Sequence, residues 1–233
     1  MFNVAILGAS GYTGVELVRL ISMHPEFKIH SLSGETKSGL KFGEVYPSLQ
    51  YLNLPNLCYV SDINYDDLDL VFCALPHTKS AAIINKLPRN IKIIDLSADF
   101  RLNTDYLYKK WYGVDHPCPD LLSKFIYGLT EFYRTEIKNS DYVACTGCNS
   151  ATGLYPIIPL VSEGIIELDD IIINLATGVS GAGRKANEFI IHSEVSEGFS
   201  PYNVKSHRHL AEFDQELLKF SGKKIRVTFT PHL

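Results

Sequence analysis

The chain of 233 residues is long enough for one large domain or two small ones, and a hydrophobic share of 45% can furnish a core in either case. A formal charge of −4 without a basic block offers nothing to nucleic acid or to an anionic membrane. No apolar run approaches the ~18 residues of a membrane span, no signal-peptide pattern precedes the first apolar run, and five cysteines without framework spacing indicate a reducing cytoplasm rather than a disulfide scaffold.

Residues 3–7, Asn-Val-Ala-Ile-Leu, form a continuous apolar strand of the kind buried in a parallel sheet. Gly8-Ala-Ser10-Gly11-Tyr12-Thr13-Gly14 follows, and then Val15, Leu17, Val18 and Ile21 recur at helical spacing. Strand, glycine loop and helix predict a dinucleotide phosphate site, because the glycines admit the pyrophosphate to the backbone and the helix start supplies amide donors. The spacing is GxxGxxG rather than GxGxxG, and a tight turn without a ligand is the alternative reading. Residues 28–32 form the second strand. An NAD site carries an acidic residue at the end of that strand, whereas this chain has Ser33-Gly34 and then Glu35, Thr36, Lys37 and Ser38. Hydroxyls beside a cation suit a 2′-phosphate, so NADP is the expected cofactor, while Glu35 keeps NAD open. The expected cofactor-binding residues are Gly8, Ser10, Gly11, Tyr12, Thr13, Gly14, Ser33, Thr36, Lys37 and Pro76.

Residues 39–64 have little periodicity and read as loops around short strands. Residues 69–74 form a clear strand broken by Leu75-Pro76-His77. A helix over 80–87 leads to a buried strand at 91–94, then to Asp95-Leu-Ser97-Ala-Asp-Phe-Arg101. Residues 106–119 read as aromatic and turn-rich, and residues 125–137 contain Tyr127-Gly-Leu-Thr-Glu131.

Residues 141–144 form a short strand before Cys145-Thr-Gly147-Cys148-Asn-Ser, after which Ala151, Leu154, Ile157 and Ile158 take helical spacing. Cys148 is thus expected at a strand-to-helix turn, where amide donors and the helix dipole favour a thiolate able to attack a carbonyl substrate. The alternative is a buried structural cysteine. A glycine loop, Gly178-Val-Ser180-Gly181-Ala-Gly183-Arg184-Lys185, follows a strand over 169–177. His207-Arg208-His209 precedes a helix over 211–220 with Phe213, Leu217 and Phe220 on one stripe, and residues 225–230 alternate as a half-buried strand. The expected fold is α/β, with a Rossmann-type parallel-sheet domain at 1–146 followed by a mixed α+β substrate and catalytic domain at 147–233. The glycine loop, Ser33, Pro76-His77, Ser97 and Cys148 each follow a predicted strand, and in an open parallel sheet those ends share one rim. Two rivals use the same residues: a zinc site from Cys145-x-x-Cys148 and His207-x-His209, disfavoured by the lack of a second close pair, and a non-catalytic NADP-binding sensor.

The ordered set Gly8-Ala-Ser-Gly-Tyr-Thr-Gly14, Leu75-Pro-His77, Asp95-Leu-Ser-Ala-Asp-Phe-Arg101, Trp111-Tyr-Gly113, Gly178-Val-Ser-Gly-Ala-Gly-Arg184 and His207-Arg-His209 resembles the N-acetyl-gamma-glutamyl-phosphate reductase family, relatives of aspartate-semialdehyde dehydrogenase. The resemblance spans the chain. It implies a cytoplasmic enzyme of arginine biosynthesis in which Cys148 attacks N-acetylglutamyl phosphate, phosphate leaves, and a thioester is reduced with NADPH to the semialdehyde. N-acetyl-aminoadipyl phosphate, of lysine synthesis, is the alternative substrate. His207 is the expected acid–base group. Cationic recognition of the acyl phosphate falls to Arg101, Arg184, Lys185 and Arg208, and Ser180, Gly181 and His209 are also assigned to substrate. The family usually has Asn-Pro-Gly-Cys-Tyr-Pro at the nucleophile, and the added thiol of Cys145 here suggests a disulfide with Cys148 under oxidation. Family members continue beyond Thr228-Phe-Thr-Pro-His-Leu233, so the expectation is a C-terminally incomplete second domain with an unpaired edge at 225–230, poor solubility alone, and a homo-oligomer when full length.

Overall fold

Val4, Ala5, Ile6 and Leu7 are each 0% exposed, so the first apolar run lies in a sheet covered on both faces. The computed structural model describes residues 1–233. In chain order its elements are β1 (Phe2–Leu7), α1 (Tyr12–Ser22), β2 (Phe27–Ser33), α2 (Phe42–Val45), β3 (Leu57–Cys58), β4 (Leu70–Cys73), α3 (Ser80–Ile84) and β5 (Lys92–Asp95). Then come α4 (Asp105–Tyr112), β6 (Ile126–Gly128), α5 (Thr130–Lys138), β7 (Tyr142–Cys145), α6 (Cys148–Ser162), β8 (Ile171–Ala176), α7 (His192–Val195), α8 (Leu210–Ser221) and β9 (Val227–His232). Two units form, Met1–Asn103 with Asp115–Cys145, and Thr104–Val114 with Thr146–Leu233.

The first unit holds a seven-stranded sheet in the order β3-β2-β1-β4-β5-β7-β6, parallel throughout. Side chains alternate across it. Val4 and Ile6 join Val18, Ile21, Leu32 and Phe42 in one core, whereas Ala5 and Leu7 join Val71, Ile84 and Ile93 in the other. The order reverses between β1 and β4, and in such sheets ligands bind outside the strands' carboxyl ends at that switch point. The glycine loop leaves β1 there.

In the second unit α6 packs on α8 over the parallel pair β8–β9. β8 alternates as a half-buried strand should, with Ile173 and Leu175 inside and Ile172 and Asn174 outside. Gly153 permits the approach of the two helices, since a Cβ on it would lie 2.5 Å from the Phe213 ring. Phe213 is 0% exposed and meets Phe229 of β9 edge-on at 5.1 Å.

One stretch departs from the sequence reading. Within the stretch 106–119 read as aromatic and turn-rich, residues up to Tyr112 belong to α4, which starts at Asp105 and clusters with the second unit. Local chemistry explains the helix: the Thr104 side chain caps the Leu107 N–H at 3.2 Å, Asp105 and Lys109 sit at the favoured ends, and Gly113 closes it at φ 75°. Around residues 125–137 the chain forms the edge strand β6 and then α5. With three residues β6 is too short to show a period, and it pairs only with β7.

Asp95 ends β5 at 0% exposure and accepts hydrogen bonds from Ser80 Oγ at 2.7 Å, Ser97 Oγ at 2.7 Å and Ser97 N–H at 3.1 Å. Burial pushes its carboxyl up to about 6, against the lowering effect of the Ser80 and Ser97 bonds. A carboxyl raised on folding adds stability that is fully present below its unfolded value and lost as pH rises through its folded one. Asp95→Asn removes that slope. Relative to wild type the variant should gain up to about 3 kcal/mol between about pH 4 and about pH 7 in denaturant titrations, and change no further above that.

Candidate functional site

In the first unit, close backbone packing dictates the glycine loop. Gly8 has φ +82°, and a Cβ on it would lie 2.4 Å from the Ala74 carbonyl oxygen. At Gly14 a Cβ would lie 2.3 Å from the Gly8 carbonyl oxygen. Gly11 begins α1 without a side-chain cap, and the first bond of the helix ladder runs from the Val15 N–H to the Gly11 carbonyl at 2.9 Å. The helix-start amides ahead of it, at Tyr12, Thr13 and Gly14, have no intrahelical acceptor. Such a start fits an anionic group, and the loop fits the pyrophosphate of a nicotinamide dinucleotide.

Ser33 is 1% exposed, and its hydroxyl accepts the Gly8 N–H at 3.0 Å while its carbonyl accepts the Ala9 N–H at 2.7 Å. It therefore rivets the loop to β2. Tyr46, which sequence reasoning passed over, braces the far side by donating its hydroxyl to the Ser10 carbonyl at 2.9 Å. Glu35, Thr36 and Lys37 all stand exposed on one turn, and Glu35 accepts the Val60 N–H at 3.1 Å. Pro76 is exposed past the end of β4, and His77 Nδ1 accepts the Ala98 N–H at 2.9 Å.

Arg101 has a different setting from the one expected of a substrate ligand. It is 5% exposed, and its guanidinium donates to the Cys145 carbonyl at 2.7 Å and the Leu96 carbonyl at 3.0 Å, bracing the ends of β7 and β5. Cys145 itself is pushed up to about 11, first by burial and then by Asp95, against Arg101. A thiol held protonated is a poor partner for disulfide exchange.

The second unit collects the other candidates around the start of α6. Cys148 is its first residue and is exposed. Gly147 is the N-cap, in extended backbone at φ −70° and ψ 150°, and its N–H donates to Glu212 Oε2 at 3.1 Å. A Cβ on Gly147 would lie 2.6 Å from His209 Nε2 and 2.9 Å from Glu212 Oε1, so imidazole and carboxylate occupy the space a side chain would take. His209 Nε2 lies 3.9 Å from Glu212 Oε1, and Glu212 is 1% exposed in the first turn of α8. His207 meets the His209 ring edge-on at 4.6 Å and also packs against Tyr202 and Phe229. Its pKa is lowered, chiefly by burial and then by Arg208, with Glu212 opposing. Asn149 Nδ2 donates to the Tyr202 hydroxyl at 3.3 Å.

The structure thus brings together Cys148, His207 and His209, and adds Glu212, Asn149 and Tyr202. Glu212 had a readable signal, since His209-x-x-Glu212 has the spacing of a helix N-terminal box. Asn149 and Tyr202 lie far apart in sequence and carried none. Ser180, Gly181 and Arg184 lie on or beyond the exposed turn Val179–Ala182, beside Lys185. The Arg208 guanidinium sits over the Tyr112 ring at 5.2 Å.

Family models match both parts of the chain: "Semialdehyde dehydrogenase, NAD binding domain" over residues 3–140 and "Semialdehyde dehydrogenase, dimerisation domain" over residues 148–233. N-acetyl-gamma-glutamyl-phosphate reductase of Cereibacter sphaeroides is 55% identical over 232 residues, covering 99% of this chain and 68% of that protein. The protein of the same name from Rhodobacter capsulatus is 53% identical over the same shares. Among solved structures, aspartate semialdehyde dehydrogenase with NADP from Candida albicans superposes with a TM-score of 0.65 at 17% identity, covering 100% of this chain and 67% of that one. Aspartate semialdehyde dehydrogenase II from Vibrio cholerae does so at 0.65 and 16%, covering 100% and 70%. Both likenesses bear on fold.

Gly147→Ala tests the packing at the start of α6. In extended backbone an alanine normally gains stability by restricting the unfolded chain, so the clash with His209 and Glu212 decides the sign. The variant should lose about 1–3 kcal/mol in urea denaturation, the usual cost of overpacking. A neutral or stabilising result would mean that His209 does not occupy that space.

Proposed function

Because the chain belongs to the semialdehyde dehydrogenase family, and within it to the N-acetyl-gamma-glutamyl-phosphate reductases, we propose that it converts N-acetylglutamyl phosphate to N-acetylglutamate semialdehyde through a thioester on Cys148, using NADPH. The observation that carries this reading is an exposed thiol at the first position of α6, beside a glycine whose missing side chain is replaced by an imidazole and a carboxylate.

The Cys148 sulfur attacks the acyl carbon, the bond to the phosphate oxygen breaks, and inorganic phosphate leaves with the electron pair. The helix start stabilises negative charge developing at the sulfur and at the carbonyl oxygen. His209 accepts the thiol proton at Nε2, and the Glu212 carboxylate steadies the imidazole that carries it. This assignment departs from the expectation of His207. It rests on the contact of His209, rather than His207, with Gly147. Burial and then Arg208 lower the pKa of His207, against Glu212, and its ring packs edge-on beside His209. When bound, the nicotinamide cofactor supplies the hydride that reduces the thioester. Collapse of the Cys148 thiohemiacetal then releases the semialdehyde, and the sulfur recovers its proton from His209.

In the first unit, Gly8, Ser10, Gly11, Tyr12, Thr13 and Gly14 hold the cofactor's pyrophosphate, with Ser33 fixing the loop. A 2′-phosphate is favoured because one Glu35 oxygen already accepts the Val60 N–H, while Thr36 and Lys37 offer a hydroxyl and a cation on the same exposed turn. On and just beyond the exposed turn Ser180, Gly181 and Arg184 contact the substrate, with Arg208 beside the histidines. The match to a dimerisation domain supports a homo-oligomer.

Cys148→Ser should abolish turnover and leave NADPH affinity within about twofold, since the glycine loop belongs to the other unit. His209→Asn should cost ~10²–10⁴ in rate, the usual worth of general acid–base catalysis, and His207→Asn less. The reverse order would return the role to His207. Lys37→Ala should weaken NADPH about tenfold and NADH hardly at all in fluorescence titrations, because only NADPH carries the extra phosphate. Equal losses would show that Lys37 does not meet the 2′-phosphate.

A further inference from the structure

The residues flanking Cys148 close a ring of contacts. On one side, Gly147 N–H reaches Glu212, Glu212 lies beside His209, and His209 meets His207. His207 meets the Tyr202 ring at 5.6 Å, the Tyr202 hydroxyl accepts from Asn149 Nδ2 at 3.3 Å, and Asn149 Oδ1 lies 3.8 Å from Cys148 Sγ. The ring starts and ends on the two neighbours of the nucleophile. Its histidine side is accounted for by proton transfer, but the Asn149–Tyr202 side is not.

Asn149 is 3% exposed, a costly setting for a carboxamide unless both of its ends are satisfied. Its amide nitrogen is committed to Tyr202, which turns the carbonyl oxygen toward the sulfur, where it accepts the S–H. Tyr202 is itself fixed, since its N–H donates to the Pro231 carbonyl at 3.0 Å and Pro201 bridges to His232 of β9. The anchoring therefore runs from a strand, through a phenol and a carboxamide, to the thiol.

Resting on the reading of Cys148 as the nucleophile, we propose that Asn149 and Tyr202 are a positioning pair: Tyr202 orients the Asn149 carboxamide so that its oxygen holds the Cys148 S–H in one rotamer until the proton is withdrawn. Neither residue need touch the substrate. The pair acts through the sulfur.

The test uses the whole chain with Tyr202→Phe, Asn149→Ala and the double variant, reading three quantities. Alkylation of Cys148 by iodoacetamide is followed by peptide mass spectrometry, kcat and KM are measured with the acyl phosphate, and melting temperature reports on the fold. Both single variants should alkylate several-fold faster, because an oxygen that accepts S–H bonds the thiol and not the thiolate. Both should lose roughly 2- to 13-fold in kcat, the worth of one hydrogen bond, with KM within about twofold. The double variant should behave like Asn149→Ala, as two members of one chain of contacts do. A merely structural role would lower the melting temperature without raising the alkylation rate. Tyr202→Phe keeps the ring against His207, so it decides the matter if Asn149→Ala does not fold. An unchanged alkylation rate in Tyr202→Phe, or losses in kcat that multiply in the double variant, would overturn the pair. If the wild type turns over no acyl phosphate but alkylation accelerates as described, the pair stands and the functional reading fails.

Discussion

The N–H of Gly147 donates to a carboxylate that is only 1% exposed, and the geometry of the second unit's candidate site depends on that bond. Glu212 sits in the first turn of α8 and Gly147 at the mouth of α6, so one hydrogen bond sets the two helix starts against each other. A residue with a Cβ at 147 would drive His209 and Glu212 away, and a neutral residue at 212 would leave the amide a weaker acceptor. Phe213, next in α8, fills the space left by Gly153 one and a half turns along α6. Two glycines and the residues that occupy their missing side chains thus fix the helix pair that presents Cys148.

The first unit obeys a similar constraint. Gly8 and Gly14 are glycines because backbone atoms stand where their side chains would be, and that proximity brings the start of α1 up to the end of β1. Ser33 and Tyr46 then hold the loop from two sides by bonds to its N–H and carbonyl groups. At the neighbouring strand ends, Asp95, Ser80 and Ser97 form a buried polar cluster, and Asp99 accepts the N–H groups of Thr78 and Ala81. The loops of this rim thus satisfy their polar groups by binding one another.

Much of this was legible in the sequence. Continuous apolar runs at β1, β4 and β5 announced a parallel sheet, since such strands are buried on both faces, and the glycine loop followed the first of them. Cys148 was legible because a short apolar strand, a glycine and a helical period stood in succession. The helix α4 was obscured by its aromatic composition, although Thr104 and Gly113 mark its ends. Arg101 illustrates a limit of residue-type reasoning: a guanidinium suits phosphate and carbonyl oxygen alike, and only the fold puts it among the carbonyls of Leu96 and Cys145. Sequence alone likewise does not separate His207 from His209, since only the fold sets the His209 ring against the space at Gly147. Asn149 and Tyr202 meet where residues 201–202 lie against β9, a tertiary fact with no local sign.

The central claim is that Cys148 forms a covalent acyl intermediate, and mass spectrometry of the intact protein tests it most directly. The protein is incubated with N-acetylglutamyl phosphate in the absence of reduced cofactor, quenched in acid and weighed, with released phosphate measured in parallel. The account predicts one N-acetylglutamyl group per chain, located on Cys148 by peptide mapping, with one phosphate released for each and no adduct in Cys148→Ser. Phosphate release without an adduct, or an adduct that persists in Cys148→Ser, would contradict it.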